Sequence, residues 1–286
     1  MTSPFLGSTS GRTRQQLRAA RYLRLSRDLY VIRSDEIDLY ACLLALQLAL
    51  PGMVACGRTA AALLRLPVDE DGLLHIARFP DAGRSERPGV RTHRWHLPPQ
   101  DVRELVRPQG AVRLTTGPRT WVDLAAEMDL LGLVAVGDVL VGRHGREALA
   151  RAVRGAANRP GVPLLRRALP LLDAGCDSPA ETRMRLRLHA AGFRSLRHGV
   201  VVRDELGGWL AAPDLADEQA KVAIQHDGAI HFQKGAAQRR HDVDRDELCR
   251  EQGWQVVIST AIDDARPARL VRRVAAAYER SARGRP

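Results

Sequence analysis

The chain has 286 residues, of which 45% are hydrophobic and 27% are charged, and this composition is typical of a soluble globular protein and excludes a disordered one. Its net charge of +11 favours a polyanionic partner, because basic side chains displace the counterions that condense on phosphates. Only two of the 44 basic residues are lysine, so arginine codon choice in a GC-rich genome is an alternative explanation of the charge. We expect no signal peptide and no membrane-spanning run, and four scattered cysteines indicate reduced thiols in a cytoplasmic protein.

The first segment, residues 1–33, is strongly basic, with seven arginines and one aspartate. A short helix is predicted over 13–21, followed by strands over 22–25 and 29–32. A basic helix that leads into a tight hairpin is typical of the second half of a winged helix-turn-helix, here shortened at its start. The arginines expected to contact nucleic acid are Arg14, Arg18, Arg21, Arg24 and Arg27.

The second segment, residues 34–173, is predicted to be a mixed α/β domain. Its predicted helices lie at 37–50, 59–66 and 119–128 with more helix up to 172, and its predicted strands lie at 53–56, 73–77 and 90–95. His93 and His96 have no nearby partner in the sequence, and we interpret this pair as incidental.

A motif in this segment, Leu-Thr-Thr-Gly-Pro-Arg-Thr-Trp-Val-Asp-Leu-Ala at 114–125, is preceded by Arg-Thr-Ala-Ala-Ala-Leu at 58–63. Together they resemble the middle domain of AbiEi-type antitoxin-like proteins. The resemblance implies DNA binding, autoregulation and a toxin partner. The alternative is that Thr120 and Asp123 only cap or brace a helix.

The third segment, residues 174–286, alternates helices and strands. Helices are predicted over 178–191, 239–252 and 267–280, and strands over 209–215, 221–225 and 254–259. A helix, a pair of strands, a helix, a strand and a final helix form the order of a restriction-endonuclease-like core. The sequence therefore predicts the α/β (α+β) class, with this domain at the C-terminus.

Polar residues lie near the ends of the two paired strands of this core. Asp214 ends one strand, and Gln225 and Asp227 end its neighbour, so we expect their side chains to converge. Carboxylates hold Mg²⁺, which polarises a phosphoryl oxygen and activates an attacking water. The sequence thus predicts Asp214 and Asp227 as Mg²⁺ ligands, while a turn after the strand is the alternative for Asp227.

These residues resemble the Vsr-like endonucleases and their relatives of the domain of unknown function 559, within the PD-(D/E)XK fold. Glu181 matches the helix glutamate, Asp214 the strand aspartate, and Asp227 with His231 the Asp-Gly-x-x-His signature. The resemblance implies that Glu181 orients the site and that His231 acts as a base. A capping box with Ser178 is the alternative for Glu181.

One position departs from this family pattern, because Gln225 stands where the relatives carry glutamate. An amide brings no charge to hold a hard cation, so the site is expected to be weakened. The residues expected to contact phosphate in this segment are Lys221, Lys234 and Arg240, with solvated surface as the alternative for the two lysines.

Two functions remain from the sequence. The first is a DNA-binding protein with a Mg²⁺-dependent DNA endonuclease domain that Gln225 weakens. The alternative is a non-catalytic, DNA-binding, antitoxin-like transcriptional regulator. Charge alone does not distinguish DNA from RNA as the partner.

Overall fold

The structure is a computed structural model, and it describes residues 5–32, 38–82, 86–176, 178–227 and 246–284. Helices and mixed or antiparallel sheets alternate along the chain, which confirms the predicted α/β class. Two compact units are present, Met1–Val136 with Arg143–Leu169, and Gly137–Gly142 with Pro170–Pro286. Within the described ranges, no helix is long and apolar enough to cross a membrane.

The N-terminal unit opens with a three-stranded antiparallel sheet in the order β1-β3-β2. Its strands are β1 (Phe5–Leu6), β2 (Tyr22–Ser26) and β3 (Leu29–Ile32). The helix predicted over 13–21 is wrong, since this stretch forms only a 3-10 turn at Gln16–Arg18. Only Leu17 is buried there, so no apolar stripe stabilises a longer helix.

A five-stranded sheet in the order β6-β5-β4-β8-β7 follows in the same unit. The strands of this sheet and the two helices that accompany them in the chain are α1 (Leu39–Ala49), β4 (Val54–Ala55), α2 (Gly57–Leu63), β5 (Leu74–Arg78), β6 (Val90–Arg94), β7 (Val102–Arg107) and β8 (Gly110–Thr115). The β7–β8 hairpin was not predicted from the sequence. Strand β7 lies at the sheet edge and no residue in it is buried, so its sequence lacks the alternation of a half-buried strand.

Helices α3 (Gly117–Leu124), α4 (Leu130–His144), α5 (Arg146–Gly155) and α6 (Val162–Ala168) complete this part of the chain. The Thr-Gly-Pro-Arg-Thr-Trp motif forms the junction of β8 and α3. Thr120 Oγ1 lies 2.7 Å from Thr115 Oγ1, and Asp123 accepts hydrogen bonds from Arg119 at 2.8 Å and Arg159 at 3.0 Å. Thr120 and Asp123 therefore brace α3, as the structural alternative expected.

The C-terminal unit is built on a three-stranded sheet in the order β11-β12-β13. Its elements are α7 (Pro179–Ala190), β9 (Val202–Arg203), β10 (Trp209–Ala211), β11 (Leu215–Asp217), β12 (Val222–Asp227), α8 (246–251), β13 (Gln255–Thr260), α9 (Ala261–Ala265) and α10 (Pro267–Arg283). Strand β12 pairs antiparallel with β11 and parallel with β13. The core between α7, α10 and this sheet includes Met184, Leu188, Ile224, Val257 and Val274.

The single strand predicted over 209–215 is wrong, because it is divided between two sheets. Strand β10 pairs with β9, whereas β11 pairs with β12. Pro213 lies between them and has no amide hydrogen to donate to a ladder. The break releases Asp214 from strand pairing and leaves it beside the start of β11.

Candidate functional site

Asp214 and Gln225 meet where β11 and β12 pair. Leu215 is opposite Ile224 in the antiparallel register. Asp214, which precedes Leu215, therefore lies opposite Gln225, which follows Ile224. Asp214 Oδ2 accepts hydrogen bonds from Gln225 Nε2 at 3.0 Å and from the backbone amide of His226 at 2.5 Å. The structure thus brings together two of the predicted site residues, and the amide of Gln225 acts as a donor.

Burial raises the pKa of the Asp214 carboxyl above its ordinary value. The amide of His226 lowers this pKa in part, and the negative charge of Glu181 raises it. Since that charge acts on Asp214, Glu181 at the start of α7 lies within electrostatic range of the β11–β12 junction. Of the predicted residues, Gln225 therefore contacts Asp214 directly, and Glu181 acts on it through its charge.

Glu181 also has a structural role in the first turn of α7. Ser178 is the N-cap, and its Oγ accepts a hydrogen bond from the Glu181 amide at 3.2 Å. The same hydroxyl donates to Glu181 Oε1 at 2.7 Å. The capping alternative thus describes real contacts, and these contacts also hold the carboxylate in place.

The other predicted site residues lie partly outside the described residues. Asp227 is the last residue of β12, paired with Thr260 of β13, and its backbone alone is described. His231, Lys234 and Arg240 fall outside the described residues. In the part of the chain that the structure describes, no three His, Cys, Asp or Glu residues are grouped to hold a metal ion.

The donors that are described suit a hard cation only in part. Glu181 and Asp214 offer carboxylate oxygens, which are the ligands that Mg²⁺ prefers. Gln225 presents its nitrogen to Asp214, and an amide nitrogen cannot bind a cation. For Gln225 to act as a ligand beside Asp214, its amide would have to turn its oxygen inward.

His198 is a neighbour of this region that the sequence analysis missed. Its Nε2 lies 3.0 Å from Cys176 Sγ, and its charge lowers the pKa of Asp214. Burial raises the pKa of the Cys176 thiol to about 12, so this thiol stays protonated and is not a nucleophile at neutral pH. No spacing motif in the sequence connects Cys176, His198 and Asp214, so only the tertiary contact identifies them.

The predicted phosphate contacts differ in their surroundings. Lys221 adopts a positive φ of 47° in the turn before β12, and its Nζ donates to the Gln252 carbonyl at 2.9 Å. It therefore links this turn to the segment after α8.

The predicted N-terminal arginines are all exposed: Arg14, Arg18, Arg21, Arg24 and Arg27. Arg21 also lies over the ring of Tyr22, 5.0 Å from its centroid.

A second polar cluster lies in the N-terminal unit, and it gives His93 a partner that the sequence did not show. Asp71 Oδ2 is 2.9 Å from His75 Nε2, and His75 Nδ1 is 3.3 Å from His93 Nε2. His75 is buried, and the His93 ring is 4.3 Å from that of Trp95. Burial, followed by the charge of His75, lowers the pKa of His93 to about 4. Because β5 and β6 are parallel neighbours, a correct strand pairing would have placed the two histidines together.

A cavity of about 300 Å³ lies beside this cluster. Asp71 and Arg58 line it together with Thr59, whose hydroxyl accepts a hydrogen bond from the His75 amide at 2.7 Å. Arg58 is neutralised by Glu127 at 3.2 Å and lies 3.9 Å from Asp71. The charges around the cavity are thus largely paired with one another.

Comparison with known proteins gives relatives over most of the chain. Two proteins of Mycobacterium tuberculosis, "Uncharacterized protein MT2308" of strain CDC 1551 / Oshkosh and "Uncharacterized protein Rv2248" of strain ATCC 25618 / H37Rv, are each 29% identical over 261 residues. The alignments cover 88% of this chain and 91% of each relative. No family model matches the sequence. The similarity extends across both compact units.

Proposed function

We propose that this chain is a DNA-binding protein whose C-terminal unit carries a Mg²⁺-dependent DNA endonuclease site weakened by Gln225. The observation that supports the proposal is the position of Asp214. This half-buried carboxylate lies at the end of paired strands, is hydrogen-bonded by Gln225 and is within range of the Glu181 charge. Buried carboxylates with perturbed pKa values are more frequent at functional sites than elsewhere.

Each residue has a role in this proposal. Asp214 and Glu181 supply carboxylate oxygens, and Ser178 fixes the Glu181 carboxylate through its hydroxyl. A bound Mg²⁺ polarises a phosphoryl oxygen and lowers the pKa of water. The backbone amide of His226 holds Asp214 in a single orientation. Four buried cysteines, all present as free thiols, support the cytoplasmic location that we include in the proposal.

A second candidate is a non-catalytic, DNA-binding, antitoxin-like regulator with a toxin partner. The hydrogen bond from Gln225 Nε2 to Asp214 Oδ2 favours it. That bond gives the half-buried carboxylate a partner without a cation, so the fold does not need a metal at this position. In this case the nuclease-like unit supports binding only.

The deciding experiment is a cleavage assay on supercoiled plasmid, duplex, mismatched and single-stranded DNA with Mg²⁺ or Mn²⁺. The proteins are wild type, Asp214→Ala and, as a matched control, Glu279→Ala, which removes an exposed carboxylate from α10. The endonuclease proposal expects cleavage by wild type and the control and its loss in Asp214→Ala. A wild type that binds DNA and leaves every substrate intact with both metals would favour the regulator.

A further inference from the structure

Four arginines of the N-terminal unit come together from three segments, and we call them the arginine cluster: Arg27, Arg78, Arg87 and Arg94. Arg87 precedes β6, and its Nη1 donates to the backbone carbonyl of Arg27 in the turn between β2 and β3. Arg78 and Arg94 are paired residues at the ends of β5 and β6. Arg94 Nη2 donates to the carbonyl of Pro80. Residues far apart in the sequence thus form one basic surface.

Three members of this cluster, Arg27, Arg87 and Arg94, form no ion pair with a carboxylate among the described residues. Arg87 and Arg94 donate to backbone carbonyls, which carry no formal charge. The charge of Asp28 raises the pKa of Arg87 in part, but the Asp28 carboxylate is hydrogen-bonded by the amide and hydroxyl of Ser8 at 2.8 and 2.5 Å.

Mutual repulsion within the cluster is visible at Arg87. Burial lowers the pKa of its guanidinium, and the charges of Arg27 and Arg78 lower it further, whereas Asp28 raises it. Its Nε is buried with no hydrogen-bond partner within the described residues. Holding like charges together costs free energy, and a bound polyanion would offset that cost.

Aromatic side chains border the same surface. Phe79 follows Arg78 and is 44% exposed, and its ring lies edge-on to that of His96 with centroids 6.1 Å apart. Exposed rings interleaved with arginines are typical of surfaces that track a nucleic-acid backbone and its bases. An acidic peptide would use the charges but would gain little from the rings.

We propose that the arginine cluster binds the phosphate backbone of DNA. The DNA-binding surface of the N-terminal unit then continues from the β2–β3 turn onto the ends of β5 and β6, beyond the predicted arginines of the first segment. The inference rests on the proposed function only in that the partner is DNA. It does not depend on whether the C-terminal site cleaves.

The test compares four full-length proteins by fluorescence anisotropy with a labelled DNA duplex over a range of salt concentrations. The first is wild type and the second is Arg87→Gln/Arg94→Gln, which removes the two charges and keeps a polar side chain at each position. The third is Arg166→Gln/Arg167→Gln, which removes the same charge from exposed positions of α6. Circular dichroism confirms that each is folded, and Arg27→Gln, at an exposed turn position, tests the cluster without altering the sheet.

The expected result is a loss of roughly tenfold or more in affinity for the cluster variant at moderate salt. The slope of log affinity against log salt should decrease by about 0.9 for each lost phosphate contact, hence by nearly two. The α6 control should keep the wild-type slope.

Equal slopes and affinities in the cluster and control variants would overturn the inference while leaving DNA binding intact. A wild type that binds no DNA would overturn both the inference and the proposed function. Tighter binding of an acidic peptide of equal charge than of DNA would assign the surface to a protein partner and also overturn the inference.

Discussion

Gln225 and Asp214 determine the electrostatics of the candidate site through one hydrogen bond. The amide donates to a half-buried carboxylate that already receives the His226 amide, so Asp214 is satisfied without a metal ion. A glutamate at this position would instead place a second negative charge beside Asp214. The amide of Gln225 therefore makes the site independent of a cation, whereas a glutamate carboxylate at this position would need one to offset the repulsion.

Gln225→Glu should lower the free energy of unfolding by about 1–3 kcal/mol in the absence of divalent metal, because it removes a donor and adds repulsion. Millimolar Mg²⁺ or Mn²⁺ should reverse this destabilisation. Calorimetry should show that the variant binds the cation more tightly than wild type does. Any cleavage activity should rise as well. Gln109→Glu, at an exposed turn position, is the control and should change neither property. Equal stability of Gln225→Glu and wild type in chelator would contradict the assigned hydrogen bond.

His93 should make the stability of the fold depend on pH below neutrality. Its pKa in the folded protein is about 4, well below the unfolded value of about 6.5. The unfolded chain therefore takes up a proton that the folded chain does not, and stability should fall as pH decreases from about 6.5 to about 4. The loss should be on the order of 2 kcal/mol, since the ring is partly exposed and solvent screens it.

Urea unfolding of wild type and His93→Gln across this pH range checks the prediction. The glutamine amide keeps a donor for His75, and its stability should decline less on acidification. Comparison at pH 7, where His93 is neutral, isolates the packing effect of the substitution. Parallel pH profiles for the two proteins would show that His93 titrates normally.

The start of α6 depends on Gly161, which enters the helix with a φ of +82°. A Cβ atom at this position would lie 2.3 Å from the Ala125 carbonyl oxygen, so backbone would have to move. Gly52 has a similar φ of +78° but faces open space. Both glycines therefore have a positive φ, but only Gly161 lies too close to neighbouring backbone for a Cβ atom.

Gly161→Ala should therefore destabilise the protein by roughly 3 kcal/mol or more, whereas Gly52→Ala should cost about 1 kcal/mol. Thermal or urea unfolding of both variants provides the measurement. Equal losses would mean that the α6 start shifts freely and that only the backbone conformation matters.

The middle turns of α4, Gly137–Gly142, belong to the C-terminal unit although the rest of the helix does not. Asp138 explains this membership, because its carboxylate is buried and accepts hydrogen bonds from Arg185 at 2.9 Å and Thr182 at 2.7 Å. It also accepts the amide of Asp173 at 2.7 Å. The predicted division of the chain at 173/174 would separate Asp138 from Arg185.

Breaking this buried pair from either side should be costly. Asp138→Leu and Arg185→Met should each lower the free energy of unfolding by about 3–5 kcal/mol. The first leaves Arg185 with only Asp173, at 3.8 Å, as an acidic partner among the described residues, and the second leaves the buried Asp138 carboxylate without a cation. The double variant should lose much less than the sum of the two. A double-mutant cycle by urea unfolding measures this coupling, and additive losses would show that the pair is not coupled.

Local sequence patterns were sufficient for most elements that are amphipathic or capped. Helices α1, α7 and α10 and strands β5, β6 and β13 lie within about three residues of their predicted bounds. Ser178 and Pro179 identified the start of α7 because capping depends on adjacent residues. The exposed β7–β8 hairpin and the division of 209–215 between two sheets were not predictable in this way, since pairing partners determine both.

By itself, the sequence determined the α/β class, the basic character of the chain and the position of Asp214 near Gln225, which depends on a short hairpin connection. The tertiary structure alone decided the direction of the Gln225 amide, the contacts of His198 and Asp138 with the C-terminal unit, and the pairing of His75 with His93. It also decided the assembly of the arginine cluster, in which Arg27 and Arg87 are separated by 60 residues. The physical reason is that capping and periodicity act over a few residues, whereas charge pairing and burial depend on distances in space.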